Sequence, residues 1–307
     1  MTYLQYLKLS LYGIKSIITK NKKPILGTII LTDACNLNCK HCAVNNINKI
    51  IHPYAEIKAE MIKMHREGIR ILFFCGGETM LWQDKNIGIR ELLNEARKIG
   101  FYIVNIVTNG TISLEIPEAD IIFLSLDGLK ETHNLIRGET YDKIMDNISN
   151  AEGSNICVYM AVNKINHEQI YEMGKMVLET KNLRSISFNF HTPYEGTKDL
   201  SLTQEEKVKA VSNIKRLINE GYPVFNLYSA LDNYLKNKWD RPCYQCIVSE
   251  NGRRYICGRC SEIEGLCDEC GYLFAVEFSL LFKGNIKVII DMLKTYWKYT
   301  YKKRKVK

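Results

Sequence analysis

Runs of consecutive apolar residues, rich in β-branched side chains, recur along the chain between stretches whose apolar positions return every three or four residues. The runs "ILGTIILTD" (25–33), "IRILFFCGG" (69–77), "YIVNIVTNG" (102–110), "ADIIFLSLDG" (119–128), "ICVYMAVNKI" (156–165) and "SISFNFHTP" (185–193) predict six strands. Helical periods fall between most of them, over 56–67, 87–99, 140–151, 167–181 and 203–219. Strands that read as near-continuous apolar runs are covered on both faces, so the pattern predicts an α/β fold with a parallel sheet and helices outside it. Six βα units of this length suit a partial (β/α)6 TIM-like barrel, and an open doubly wound sheet would carry the same pattern.

Polar residues interrupt the strands at their carboxyl ends, where parallel α/β folds collect their chemistry. Strand one runs into Asp33, strand two into Gly76, Gly77 and Glu78, and strand three into Thr108, Asn109 and Gly110. Strand four ends at Ser125, Asp127 and Gly128, strand five near Asn163, and strand six at Asn189 and His191. These groups are expected on one rim.

The chain has 307 residues, enough for one large core with a small appendage. No apolar run reaches the length of a membrane span, and the start lacks the compact apolar stretch and small-residue cleavage site of a signal peptide, so a cytoplasmic location is expected. Eleven cysteines in a reducing compartment point to metal ligation rather than disulfides. Cys75 and Cys157 sit inside apolar runs and read as small core residues. The other nine form two groups, Cys35, Cys39 and Cys42 after strand one, and Cys243, Cys246, Cys257, Cys260, Cys267 and Cys270 near the end.

The net charge of +8 is uneven: residues 1–23 hold five lysines and no acid, and residues 298–307 hold five lysines and an arginine without an acid. The body between them carries a small negative excess, so the all-over basic surface of a nucleic-acid binder is not expected.

Three thiolates on one loop can each hold one iron of a [4Fe–4S] cluster and leave the fourth iron open to an exchangeable ligand. Three thiolates around zinc would also leave an open position. The loop "CNLNCKHC" resembles the CxxxCxxC loop of radical S-adenosylmethionine (radical SAM) enzymes, with His41 at the position that is usually aromatic there. "CGGETML" resembles the GGE motif of that family, so Gly76, Gly77 and Glu78 are implied to meet the amino group of the SAM methionine; glycines would let the backbone approach a ligand closely. "LSLDGLKETHNLIRG" resembles the family's strand-four segment, which implies roles for Ser125 and Asp127 near the ribose and for Arg137 at the SAM carboxylate; the plain alternative for Arg137 is a surface salt bridge. Asn109, at the end of strand three, joins the cofactor-binding candidates. Strand five, "AVNKIN", lacks the glycine-containing pattern often found against adenine. The resemblance covers roughly residues 25–220. It implies reductive cleavage of SAM to a 5′-deoxyadenosyl radical that abstracts a substrate hydrogen, with an electron donor such as a flavodoxin or ferredoxin.

"CYQCIVSENGRRYICGRCSEIEGLCDEC" contains three CxxC pairs. A zinc ribbon on Cys243, Cys246, Cys257 and Cys260 is one reading. The segment also resembles the auxiliary-cluster region of radical SAM proteins with SPASM or Twitch domains, in which a glycine stands before a cysteine as Gly252 stands before Cys257. It has six cysteines where the full SPASM pattern has seven, which implies one auxiliary [4Fe–4S] cluster.

On a helical wheel Leu4, Leu7, Leu11, Ile14 and Ile18 form one stripe edged by Lys8, Lys15 and Lys22, and Ile286, Ile289, Ile290, Leu293 and Trp297 form another opposite Lys287, Lys294 and Lys298, ahead of "YKKRKVK". Both stripes are expected to pack on the barrel; the rival is interfacial helices whose lysines reach anionic lipid, a peripheral membrane contact. The chain divides into a basic amphipathic segment (1–24), a radical SAM barrel (25–222), a SPASM/Twitch-like cysteine-rich region (223–275) and a basic helix and tail (276–307). The segment ahead of strand one is too short for a separate leader-peptide-binding domain. A peptide or protein side chain is the expected substrate, a lipid or other apolar substrate at a membrane surface the second reading, and a non-enzymatic zinc-binding module the reading of another class. No nucleic-acid partner is expected.

Overall fold

A computed structural model describes residues 3–19, 23–43, 48–241 and 243–301. Six parallel strands, β1 (Leu26–Ile30), β2 (Ile71–Cys75), β3 (Ile103–Thr108), β4 (Ile121–Ser125), β5 (Ile156–Val162) and β6 (Leu183–Phe190), form the sheet in sequence order, each within its predicted run apart from the start of β6. Two further strands, β7 (Cys246–Glu250) and β8 (Arg253–Ile256), continue it: β7 pairs parallel to β1, and β8 returns antiparallel, giving the order β6-β5-β4-β3-β2-β1-β7-β8. The fold is a partial TIM-like barrel with a C-terminal extension.

The helices follow from period and caps. α1 (Tyr3–Ile18) precedes the sheet, and α2 (Tyr54–Glu67), α3 (Ile89–Ile99), α4 (Lys130–Arg137), α5 (Tyr141–Ser149), α6 (Ile170–Glu179) and α7 (Gln204–Asn219) lie between or after the strands. α7 starts in a reciprocal cap in which Thr203 Oγ1 accepts from Glu206 N at 3.2 Å and Glu206 Oε2 accepts from Thr203 N at 2.8 Å. α8 (Tyr228–Leu235), α9 (Leu273–Phe282) and α10 (Ile286–Tyr296) complete the chain. The pattern missed α4 and α8, each only eight residues long, and α9, whose "LFAVEFSLLF" is apolar all round and has no polar face to reveal a period.

Alternation along the strands separates two cores. In β2, Leu72 and Phe74 are fully buried against the helices, whereas Phe73 turns into the barrel and meets the Phe123 ring at 5.4 Å. Ile121, Phe123, Cys157, Phe225 and Tyr299 form a separate buried cluster inside the barrel. Tyr296 and Tyr299, from the end of α10 and the turn after it, stack around Phe225 at 5.4 and 6.1 Å and close the barrel's amino-terminal end. Cys157 is buried there as expected; Cys75, at the end of β2, is only partly covered.

The expectation that both terminal stripes pack on the barrel is corrected. α1 docks through Tyr6, Leu9, Ser10, Gly13 and Ile17; of its predicted stripe Leu4, Leu7, Leu11 and Ile18 face out, while Ile14 borders the seam. Ser16 is buried on the docked side, and Tyr6 and Tyr12 anchor the helix by donating to Leu293 O (3.1 Å) and Gly68 O (2.7 Å). α10 splits its stripe: Ile289 and Leu293 face inward with Met292 and Tyr296, while Ile286, Ile290 and Trp297 stay exposed. Lys22 and the tail beyond Tyr301 lie outside the described residues.

Candidate active site

The loop after β1 carries Cys35, Cys39 and Cys42, and Asp33 fixes where it leaves the strand. The Asp33 carboxylate is buried and accepts from Asn48 N and Ile50 N, each at 2.6 Å. Cys42 N donates to Cys39 O at 3.1 Å and Lys40 N to Ile136 O at 3.0 Å, so the loop is held against α4. All three thiols are partly exposed. Burial pushes the Cys39 thiol up to about 11, and that of Cys35 upward, against the pull of Arg137 on Cys39; a cluster bound there would have to displace those protons.

Gly76 and Gly77 have a clear steric role. A side chain on Gly76 would collide with Thr32 O, and one on Gly77 with Ala34 O, because Gly77 N and Glu78 N donate to those same carbonyls at 2.7 and 2.9 Å. The glycines therefore let the β2 end pack backbone to backbone on the base of the cysteine loop. Glu78 is fully buried and its carboxylate is engaged within the chain, accepting from Thr108 Oγ1 (2.6 Å), Met80 N (2.9 Å) and Asn109 N (2.7 Å). It braces the ends of β2 and β3. Burial raises its pKa, opposed by those three donors.

Asp127 and Arg137 form a buried ion pair, Nε to Oδ2 at 2.5 Å, not the surface bridge that was the plain alternative. Burial alone opposes ionisation of Asp127, but the Arg137 guanidinium and the Ala161 N–H (2.7 Å) hold its carboxyl below the usual range. The other guanidinium nitrogens of Arg137 reach Cys39 Sγ at 3.7 Å and His41 Nε2 at 3.3 Å. Burial lowers the His41 pKa to about 4, so its ring is neutral at pH 7.

A cavity of ≈ 260 Å³ opens at the carboxyl ends of the strands. Of the sequence candidates, Cys35, Cys39, Cys42, Gly76, Gly77, Asn109, Ser125 and Arg137 line it, as do His41, Asn189 and His191. Glu78 and Asp127 stand behind the wall and position those in front, and Asn163 is buried in the turn after β5, where its Oδ1 accepts from Ile165 N. Asn109 Nδ2 donates to Asn36 Oδ1 at 2.9 Å and points at Cys35 Sγ at 3.9 Å.

The tyrosines of the cavity wall were missed. Tyr159, Tyr194 and Tyr272 line it, and burial raises the pKa of each, so their hydroxyls stay protonated. For Tyr159 a signal existed in the strand alternation of "ICVYMAV", which sets Cys157, Tyr159 and Ala161 on one face. Tyr272 had none, since its place depends on how the cysteine-rich segment returns to the barrel.

That segment spans the gap between the edges of the six-stranded barrel sheet. It begins as β7 on β1, turns at Asn251–Gly252, both with positive φ as a two-residue hairpin loop requires, and comes back to β6. The "NG" pair was the sequence signal for this hairpin, and Gly252 serves its turn. At β6, Phe190 N donates to Gly271 O (2.8 Å), Gly271 N to Thr192 Oγ1 (3.0 Å) and Leu273 N to Asn189 Oδ1 (2.8 Å). A side chain on Gly271 would collide with Phe190 O. Cys243, Cys246, Cys260 and Cys270 are buried, Cys257 and Cys267 partly so. Cys243 and Cys246 sulfurs lie 3.6 Å apart, Cys257 N donates to Cys246 O at 2.8 Å, and Tyr194 hydrogen-bonds to Cys260 at the cavity boundary. Arg259 ties the two cysteine regions together, donating to Ala43 O and lying over the Tyr194 ring.

A partial barrel whose rim joins a three-cysteine loop to polar strand ends defines the class of protein. Residues 29–177, just under half of the chain, match the family model described as the radical SAM superfamily, so this part of the chain is a radical SAM domain. The sporulation killing factor maturation protein SkfB of Bacillus subtilis is 28% identical over 208 residues, covering 61% of this chain and 48% of SkfB, so the chain spans about half of that relative. Among solved structures, Streptococcus suis SuiB bound to precursor peptide SuiA superposes with a TM-score of 0.64 at 16% identity over 90% of this chain and 70% of SuiB. Histidine-tagged anSMEcpe with bound AdoMet gives 0.59 at 20% identity over 90% of this chain and 88% of anSMEcpe. At these identities the two structures show likeness of fold. Proteins of this superfamily bind a [4Fe–4S] cluster and SAM, and the C-terminal cysteines are numerous enough to hold an auxiliary cluster.

Proposed function

We propose that this protein is a radical SAM enzyme that modifies a side chain of a peptide or protein. The observation that carries the reading is the meeting, around one cavity, of the three loop thiols with Arg137, Asn109 and Ser125, under a second cysteine group that bridges the barrel's open edges. Two buried polar atoms in lining residues, His41 Nδ1 and Asn189 Nδ2, have no partner among the described residues, which fits a wall meant for a polar ligand.

In this reading Cys35, Cys39 and Cys42 would hold a site-differentiated cluster, and Cys243, Cys246, Cys257, Cys260, Cys267 and Cys270 supply the ligands of an auxiliary one. With SAM bound, the pair supplies one-electron cleavage of the sulfonium and removal of a substrate hydrogen. The chain's own share is positioning and exclusion of water. Arg137, locked by Asp127, presents a fixed cation to a carboxylate. Asn109 and Ser125 offer polar contacts at the ends of β3 and β4. Gly76 and Gly77 keep the cysteine loop pressed on β2. Tyr159, Tyr194 and Tyr272 offer protonated hydroxyls as donors. An electron donor such as a flavodoxin or ferredoxin is required by this chemistry.

A peptide substrate is supported by the names of two similar proteins, a maturation protein and a structure solved with a precursor peptide. Anaerobically reconstituted protein should release 5′-deoxyadenosine from SAM under reduction. Mass spectrometry of peptides and lipids from cells with and without the protein should then show a mass change confined to a peptide. A change confined to lipids would give the second reading, and stoichiometric zinc without 5′-deoxyadenosine would leave the zinc-module reading.

A further inference from the structure

α1 and α10 lie antiparallel across the amino-terminal end of the barrel. Tyr3 and Tyr6 meet the Trp297 ring at 6.1 and 5.2 Å, Tyr6 donates to Leu293 O, and at the opposite end Ile17 approaches Gly284. Their inner sides share an apolar seam lined by Leu9, Ile17, Phe278, Met292 and Tyr296. Their outer sides form a second apolar surface that nothing covers among the described residues. Leu4 (57% exposed), Leu11 (59%), Ile18 (74%) and Ile286 (71%) stand on it with Leu7, Ile290 and Trp297. An isolated exposed leucine needs no explanation, whereas a continuous stripe on two adjoining helices does.

The charge around this surface has one sign. Lys8, Lys15, Lys287, Lys294 and Lys298 are exposed, none pairs with a carboxylate among the described residues, and α1 contains no acid. The single acid of α10, Asp291, turns inward and accepts from Ser229 N at 3.0 Å. In sequence α10 is followed by the basic run "YKKRKVK". An apolar face bordered only by lysines and carrying tyrosine and tryptophan matches the boundary of an anionic bilayer, which takes apolar side chains to the depth of its headgroups and attracts cations. No described helix is long and apolar enough to cross a membrane.

We infer that the α1–α10 face docks the protein on an anionic membrane surface, with the active-site mouth turned away from the lipid. The orientation follows from topology: α1 and α10 cover the strand starts at Ile25 and Ile71, whereas the cysteine loop and cavity lie at the strand ends. A substrate would then arrive from the aqueous side, and docking and catalysis are separable.

The test is co-sedimentation of the full chain with phosphatidylcholine vesicles, with and without phosphatidylserine, at low and high salt. Binding is expected only with phosphatidylserine and should fall as salt rises. The triple variant Leu7→Gln, Leu11→Gln, Ile18→Gln and the charge variant Lys8→Glu, Lys15→Glu, Lys287→Glu should each weaken it by about tenfold or more. All six sites are exposed, so both variants should keep the wild-type circular dichroism and release of 5′-deoxyadenosine. Equal binding by wild type and both variants, or none to phosphatidylserine vesicles, would overturn the inference. So would a dimer in solution that the triple variant dissociates, or preferential binding of RNA by the same lysines.

Discussion

The active-site rim and the helical layer of α8 and α9 each bury a carboxylate and treat it in opposite ways. At the active-site end Asp127 is fully buried against Arg137 and remains ionised. Beside the sheet Glu277 is buried on α9, where it accepts from Leu227 N at 2.9 Å and Asn226 Nδ2 at 3.5 Å. No cation faces it among the described residues, and Asp291 adds a like charge. Burial, opposed by those two donors, pushes its carboxyl up to about 7. The desolvation cost is the same in kind. The rim offsets it with an ion pair because the site needs a fixed guanidinium, whereas the helical layer meets it by taking up a proton.

The largest expected effect tests whether the rim is chemical and its roof supportive. Cys39→Ala should reduce 5′-deoxyadenosine release from SAM below detection, while Cys260→Ala should retain part of that release and lose the modified product. Equal loss in both would erase the distinction between the two cysteine groups.

Next comes the ion pair itself. Asp127→Asn strands a buried cation and should cost about 3–5 kcal/mol in urea unfolding, and the double variant with Arg137→Met should cost less than the two single changes added together. Additive losses would mean that the pair is not coupled.

A smaller effect is expected where backbone approach replaces charge. Gly271→Ala should destabilise by about 1–3 kcal/mol through its collision with Phe190 O, read by the same unfolding measurement. A neutral result would mean that the roof is not seated on β6 as described.

The pH dependence set by Glu277 should be subtlest. The folded carboxyl of Glu277 holds its proton to about pH 7, while in the unfolded chain it ionises near its ordinary value. Its contribution is therefore fully present below the unfolded pKa and is lost as pH rises through about 7. Glu277→Gln, which keeps an acceptor for Leu227 N, should remove that decline and stabilise the protein at pH 8 by about 1–3 kcal/mol relative to wild type. An unchanged pH profile would remove the contrast between the two carboxylates.

The amino-acid order alone determined a good deal. Six strands and the helices between them were legible because continuous apolar runs and a helical period are local properties, and so were the three-cysteine loop and the polar strand ends. Only the tertiary structure decided which polar residues face the cavity. Glu78 and Asp127 read like their neighbours Gly77 and Ser125, yet they stand behind the wall, because the direction of a side chain at a strand end depends on how the next loop packs. The tyrosine wall depends on contacts between residues as distant as Tyr159 and Tyr272, which no local period encodes. The outward turn of the α1 stripe was likewise settled in three dimensions. Periodicity shows that a helix has an apolar side, but the hydrogen bonds of Tyr6 and Tyr12 and the buried Ser16 seat the opposite side, leaving the leucines to the solvent.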